Sequence, residues 1–159
     1  MARDHFMLPT VPEDDISTVR LGAGNSEAQR LDYKEVGKLV KLAGESRYNL
    51  AAVGNEIEGA IYAVELAPQN GYTIGSVMTE GRLAVTFDGL QATPGTGVVA
   101  VGDYVVTGTP VAKGTELTGT PKVCKATDAT TVVFKWRVVS LGAAGSGAVG
   151  TAGVIERVC

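Results

Sequence analysis

Short apolar runs closed by glycine turns recur along most of this chain. Leu83, Val85 and Phe87 alternate with Arg82, Thr86 and Asp88, and Val132, Phe134, Trp136 and Val138 alternate with Val133, Lys135, Arg137 and Val139. A period of two with one polar side describes a strand in a sheet wetted on one face. Asp88-Gly89 closes the first of these runs, and Asp-Gly is a hairpin signal, so a turn is predicted there. Lys38–Leu42, Tyr48–Val53, Val98–Val101 and Tyr104–Thr107 repeat the theme between Gly, Asn and Ser clusters, and Val154–Cys159 reads as a last strand. Trp136, flanked by Phe134 and Val138 on one face, is expected to anchor the core.

Residues 50–66 fit two periods. Leu50, Val53, Ile57, Ile61 and Val64 fall at helical spacings, while Ile57, Gly59, Ile61 and Ala63 alternate. Gly54 and Gly59 each cost a helix interior about 1 kcal/mol relative to Ala. Ile, Val and Tyr suit a pleated surface, so the balance favours strand over helix.

The first thirty residues differ from the rest. Pro9, Pro12, the acidic trio Glu13, Asp14 and Asp15, and Gly22, Gly24, Asn25 and Ser26 interrupt any period, and prolines remove both helix interiors and ladder donors. The expected organisation is an extended N-terminal arm (1–30) followed by a β-rich domain (31–159) with a Gly-rich loop at 142–153. The expected fold is all-β or mainly β: a small barrel or sandwich of short antiparallel strands. An arm carrying spaced apolar residues is suited to ordering on a partner, and deletion of residues 1–20 is expected to leave the domain folded.

Composition narrows the chemistry. A chain of 159 residues suits one domain, and 45% hydrophobic residues are too many for a disordered chain, so its 21 glycines punctuate a folded one. The net charge is −3, and no basic stripe of the kind that neutralises phosphates is visible, which argues against a nucleic-acid partner. Lys122, Lys125, Lys135 and Arg137 read as solvated strand faces. Met1–Thr10 has charges and a proline where a secretory signal is apolar, and no run approaches 18 apolar residues, so synthesis in the cytoplasm and no membrane partner are expected. Cys124 and Cys159 are therefore expected as free thiols. The lone histidine, His5, lies in the arm, away from any Ser-His-Asp or Cys-His arrangement, and no ligand pair has a chelating spacing. The 142–153 run lacks the Lys-Ser/Thr and following helix of a phosphate loop. No catalytic residue, metal or cofactor is expected.

Two local likenesses centre on one hairpin. Gly102-Asp103-Tyr104-Val105-Val106-Thr107-Gly108-Thr109-Pro110 resembles the Gly-Asp…Thr-Gly-Thr-Pro segment of the fumarylacetoacetate hydrolase family. That resemblance implies a metal-dependent hydrolase, with Glu56, Glu58 and Asp88 cast as the carboxylates around a divalent ion. Val101–Val111 is similar to the hairpin of biotinyl and lipoyl carrier domains, although no lysine stands in the Asp-Lys-Ala or Met-Lys-Met context that those domains modify.

The wider cadence from Val36 to Leu117 resembles the head decoration, or capsid cement, proteins of tailed bacteriophages. The residues that carry the likeness are the strand Gly37–Leu42, the Gly-x-x-Ile-x-Gly step Gly54–Gly59 and the Gly-Asp-Tyr-Val-Val strand Gly102–Val106. The resemblance implies a structural virion protein without enzymatic activity. Such a protein sits on the capsid exterior, often as a trimer, and binds the major capsid protein through its arm and β edges. On that reading Phe6, Leu8, Val11, Ile16 and Val19 are the partner-binding residues. A fibre, tail or adaptor domain of a virion, or a cellular β-barrel binding module, shares the same composition.

Overall fold

The local alternation becomes eleven short strands among the described residues. The computed structural model describes residues 16–24, 26–44, 47–67, 72–127 and 136–158. The strands are β1 (Ile16–Leu21), β2 (Leu39–Gly44), β3 (Arg47–Leu50), β4 (Gly59–Ala67), β5 (Tyr72–Met78), β6 (Arg82–Leu90), β7 (Thr93–Pro94), β8 (Val105–Thr107), β9 (Lys122–Lys125), β10 (Trp136–Ser140) and β11 (Ala152–Arg157). A single 3-10 turn, Tyr33–Glu35, precedes β2. The protein is mainly β, as its periodicity predicts.

The first five strands close into a barrel in the order β1-β3-β2-β4-β5. β1 pairs antiparallel with β5 from Ile16↔Met78 to Leu21↔Thr73, and its other edge runs parallel to β3. The remaining six strands form a second sheet, β10-β11-β6-β9-β8, with β7 folded onto β6. A bridge between Tyr104 and Arg137 joins the two ends of that sheet, with Gly102 N–H donating to the Val138 carbonyl (2.8 Å) and Val138 N–H to that of Asp103 (2.9 Å). Both sheets thus curl round and use up strand edges, which are otherwise templates for association. The outer side of β8 is covered too: Thr107 N–H donates to Asn55 O (2.9 Å) and Gly54 N–H to Thr107 O (2.8 Å).

The two sheets share one core. Leu39, Ala60 and Met78 of the barrel pack with Leu83, Val85, Phe87, Val123, Trp136, Val138 and Ile155 of the second sheet. Their chain neighbours Val40, Ile61 and Val77 point the other way and fill the barrel with Leu21 and Leu31. Successive strand residues face opposite sides, so β2, β4 and β5 are buried on both faces where the sheets meet. Their two-sided apolar character is what blurs the period of two around residues 57–64.

Three expectations change. The sheet begins at Ile16, so part of the segment assigned to the arm is a barrel strand. Removing residues 1–20 would take most of β1 and open the barrel. The turn expected at Asp88-Gly89 lies further on: β6 continues to Leu90 and folds back at Gln91-Ala92, with Leu90 opposite Thr93. Gly89 adopts φ +83 where the β6–β9 register slips between Phe87 and Leu90, a conformation that suits glycine inside a bulge. Residues 51–58 are neither helix nor strand, and β4 starts at Gly59, where a Cβ would lie 2.2 Å from Met78 O. Trp136 is fully buried, while Val132 and Phe134 lie outside the described residues.

Candidate functional site

The junction between barrel and second sheet gathers most of the polar chemistry. Asp32 caps the 3-10 turn by accepting Lys34 N–H (2.8 Å), which sets Glu35 facing inward. Glu35 and Lys38, both buried, form an ion pair. Lys38 Nζ also donates to Ala112 O (2.8 Å), and Glu35 Oε1 accepts the Gly114 N–H. A buried pair with its remaining valences satisfied holds by geometry, and this one fastens the long 108–121 loop to the barrel. Beneath the loop lies a cavity of about 80 Å³, lined by Leu39, Leu50 and Ala51 of the barrel and by Thr107, Val111, Leu117 and Lys122 opposite. The Thr107 hydroxyl is buried there without a hydrogen-bond partner.

Asp88 supports the same loop from below. Its carboxylate is buried, accepts Thr109 N–H (2.7 Å) and lies 3.8 Å from Lys122 Nζ. The Cys124 thiol donates to the Asp88 carbonyl (3.5 Å). Burial, and secondarily the Asp88 charge, push the Cys124 pKa up to about 11, while Lys122 opposes the rise.

The Gly102–Pro110 segment is explained by these contacts. Gly102 takes φ +89 in a turn, Asp103 accepts Ala100 N–H (2.8 Å) and pairs with Lys125 (3.0 Å), Val105–Thr107 is β8, and Thr109 binds Asp88. Of the three carboxylates implied by the hydrolase likeness, Asp88 is engaged as described. Glu58 lies where its own N–H meets Val40 O (2.9 Å) and its carbonyl accepts Arg157 Nη1 (3.1 Å). Glu56, Glu58 and Asp88 are not assembled as a set: among the described residues no three His, Cys, Asp or Glu side chains gather as metal ligands do.

The residues expected to bind a partner divide into two groups. Phe6, Leu8 and Val11 lie outside the described residues. Ile16 pairs with Met78 at the start of β1, and Val19, opposite Gly75, is half-buried against the barrel's own cluster. Lys122 and Lys125 reach Asp88 and Asp103, Arg137 is exposed, and Lys135 and Cys159 lie outside the described residues. The Glu35–Lys38 clamp is missing from the sequence reading, because nothing local to Asp32–Lys38 shows that the loop at 112–114 arrives there.

A second feature is the pair of loops around Val98 and Ala148, which are tied to β6 and β10 and carry exposed valines. Val98 bridges Ala148, Val99 N–H donates to Gly147 O (2.9 Å), and Val98, Val101 and Val149 project into solvent. Among the described residues no helix is long and apolar enough to cross a membrane. No protein-family model matches the chain, and no curated protein matches it either.

Proposed function

We propose that this protein decorates the outer surface of an assembled phage capsid, binding the major capsid protein as a trimer and stabilising the shell. The carrying observation is the setting of β1. The segment that bears Phe6, Leu8 and Val11 runs directly into a strand held on both edges, by six residue pairs to β5 and by β3. A load applied to residues 1–15 is borne by the backbone ladder of a closed barrel, which is what a cement protein needs from its tether. Side chains of the arm laid into grooves of the shell supply the contact. Binding to the assembled shell alone stabilises it by mass action, by about 2.7 kcal/mol per site when free protein exceeds Kd a hundredfold. The polar groups at the junction fit this role by holding the two sheets together under load.

The test is co-sedimentation with shells of the major capsid protein. Full-length protein should bind and raise the temperature at which shells release DNA, and a chain lacking residues 1–15 should fold but not bind. Phe6→Asp with Leu8→Asp in the full chain should do the same. Undiminished binding by both variants would overturn the arm's role.

A further inference from the structure

We infer that the cavity beneath the 108–121 loop binds a small neutral molecule with an apolar body and one hydrogen-bonding oxygen, in the class of short-chain ketones and alcohols. The observation that points to a ligand is the Thr107 hydroxyl. Thr107 lines the cavity and is 2% exposed, and among the described residues its Oγ1 has no hydrogen-bond partner. Most buried polar side chains are paired, because an unpaired one gives up its bonds to water and gains none in return. The Thr107 backbone is already satisfied, its N–H by Asn55 O and its carbonyl by Gly54 N–H, so the side chain alone is left over. Val105, two residues earlier on β8, belongs to the core shared with the barrel, and alternate strand residues face the same way. Thr107 therefore faces Leu39 and Ala51 across the cavity.

Size and walls narrow the occupant. Leu39, Leu50, Ala51, Val111 and Leu117 supply an apolar lining, as small-molecule sites have around a few placed polar groups. At about 80 Å³ the space is roughly half of a 150 Å³ cavity that admits benzene, which suits a body of about three to five non-hydrogen atoms. Water fits the volume but not the walls. A buried water needs about 2–4 polar partners, and the cavity offers one unpartnered buried hydroxyl, since that of Thr120 hydrogen-bonds Thr86 Oγ1 (2.8 Å).

The two lysines of the lining are already matched. Lys38 is held by Glu35 and Ala112 O, and Lys122 Nζ lies 3.8 Å from the Asp88 carboxylate. An anion would meet a carboxylate beside each of them, whereas a neutral carbonyl or hydroxyl oxygen bonds Thr107 Oγ1 and leaves both pairs intact. The cavity is also reachable and preformed. Thr109, Pro110 and Thr118 on its outer side are exposed, so a solute enters without parting the sheets. The Glu35–Lys38 pair fixes the loop above it, so little ordering cost remains to be met on binding.

This site stands apart from capsid binding, and its test uses the isolated full-length protein with butanone as the probe. Titration followed by amide NMR should give saturable shifts at Ala51, Thr107 and Val111, with a Kd in the millimolar range because so few atoms make contact. Thr107→Val keeps the shape and removes the hydroxyl. It should lower the affinity for butanone relative to its hydrocarbon isostere, in which a methylene group replaces the oxygen, by at least about fivefold. Val111→Phe, which fills the space, should abolish saturable binding of both. Absence of saturable shifts in the wild type, or an affinity ratio unchanged by Thr107→Val, overturns the proposal. Shifts of equal size at the exposed Val98 and Val101 mark an adventitious additive only and overturn it as well. So does an ordered water on Thr107 Oγ1 that butanone fails to displace, because the hydroxyl is then satisfied by water alone.

Discussion

The Cys124 thiol is buried beside the Asp88 carboxylate, and both effects disfavour the thiolate, giving a pKa of about 11 against an ordinary value of 9.0. Between those values the unfolded chain holds fewer protons than the folded one, so stability falls as pH rises from about 9 to 11. The loss is on the order of 2 kcal/mol, and urea unfolding across that range should show it in the wild type and not in Cys124→Ala. A thiol reagent at pH 8 should leave Cys124 unmodified until the chain unfolds. Gly147→Ala places a methyl against Val99 O, and forcing the loops apart should cost about 1–3 kcal/mol in urea unfolding. Residue-level surprises have non-local causes: Arg82 is exposed and Thr86 half-buried, as alternation predicts, but Asp88 is buried where the chain twenty-one residues later brings the Thr109 N–H to its carboxylate.

At the scale of elements, the barrel depends on β1 and the loop depends on the ion pair. A chain lacking residues 1–15 should melt close to the full chain, whereas one lacking 1–20 loses the ladder from Ile16↔Met78 to Arg20↔Ile74 and should give no cooperative transition. Lys38→Met strands a buried carboxylate and should cost about 3–5 kcal/mol, while Glu35→Leu with Lys38→Met should recover much of that loss. Most strands were legible from alternation and glycine closure, β6 and β10 most clearly, because each has one side facing the core. β4 was ambiguous because both of its faces are buried where the sheets meet, which removes the polar half of the period. The Asp88-Gly89 signal marked a bulge because the strand's partner, β9, continues past it.

For the whole molecule, the described residues form two sheets that share one core, and on the proposed capsid role the contact falls to the N-terminal segment. Shells loaded with wild-type protein should therefore withstand heating better than shells loaded with Phe6→Asp/Leu8→Asp protein, as followed by dye access to packaged DNA. The mainly β class and the core role of Trp136 were already contained in the order of residues, because a period of two and glycine punctuation act over a few positions and need no distant partner. Barrel closure, the burial of Asp88, the docking of the Glu35–Lys38 clamp onto the 112–114 loop and the meeting of two uncharged loops at Val98 and Ala148 came only with the fold. Each joins segments between 21 and 79 residues apart, the clamp through its bonds to the 112–114 loop, and which distant segments meet is set by packing and closure rather than by local preference.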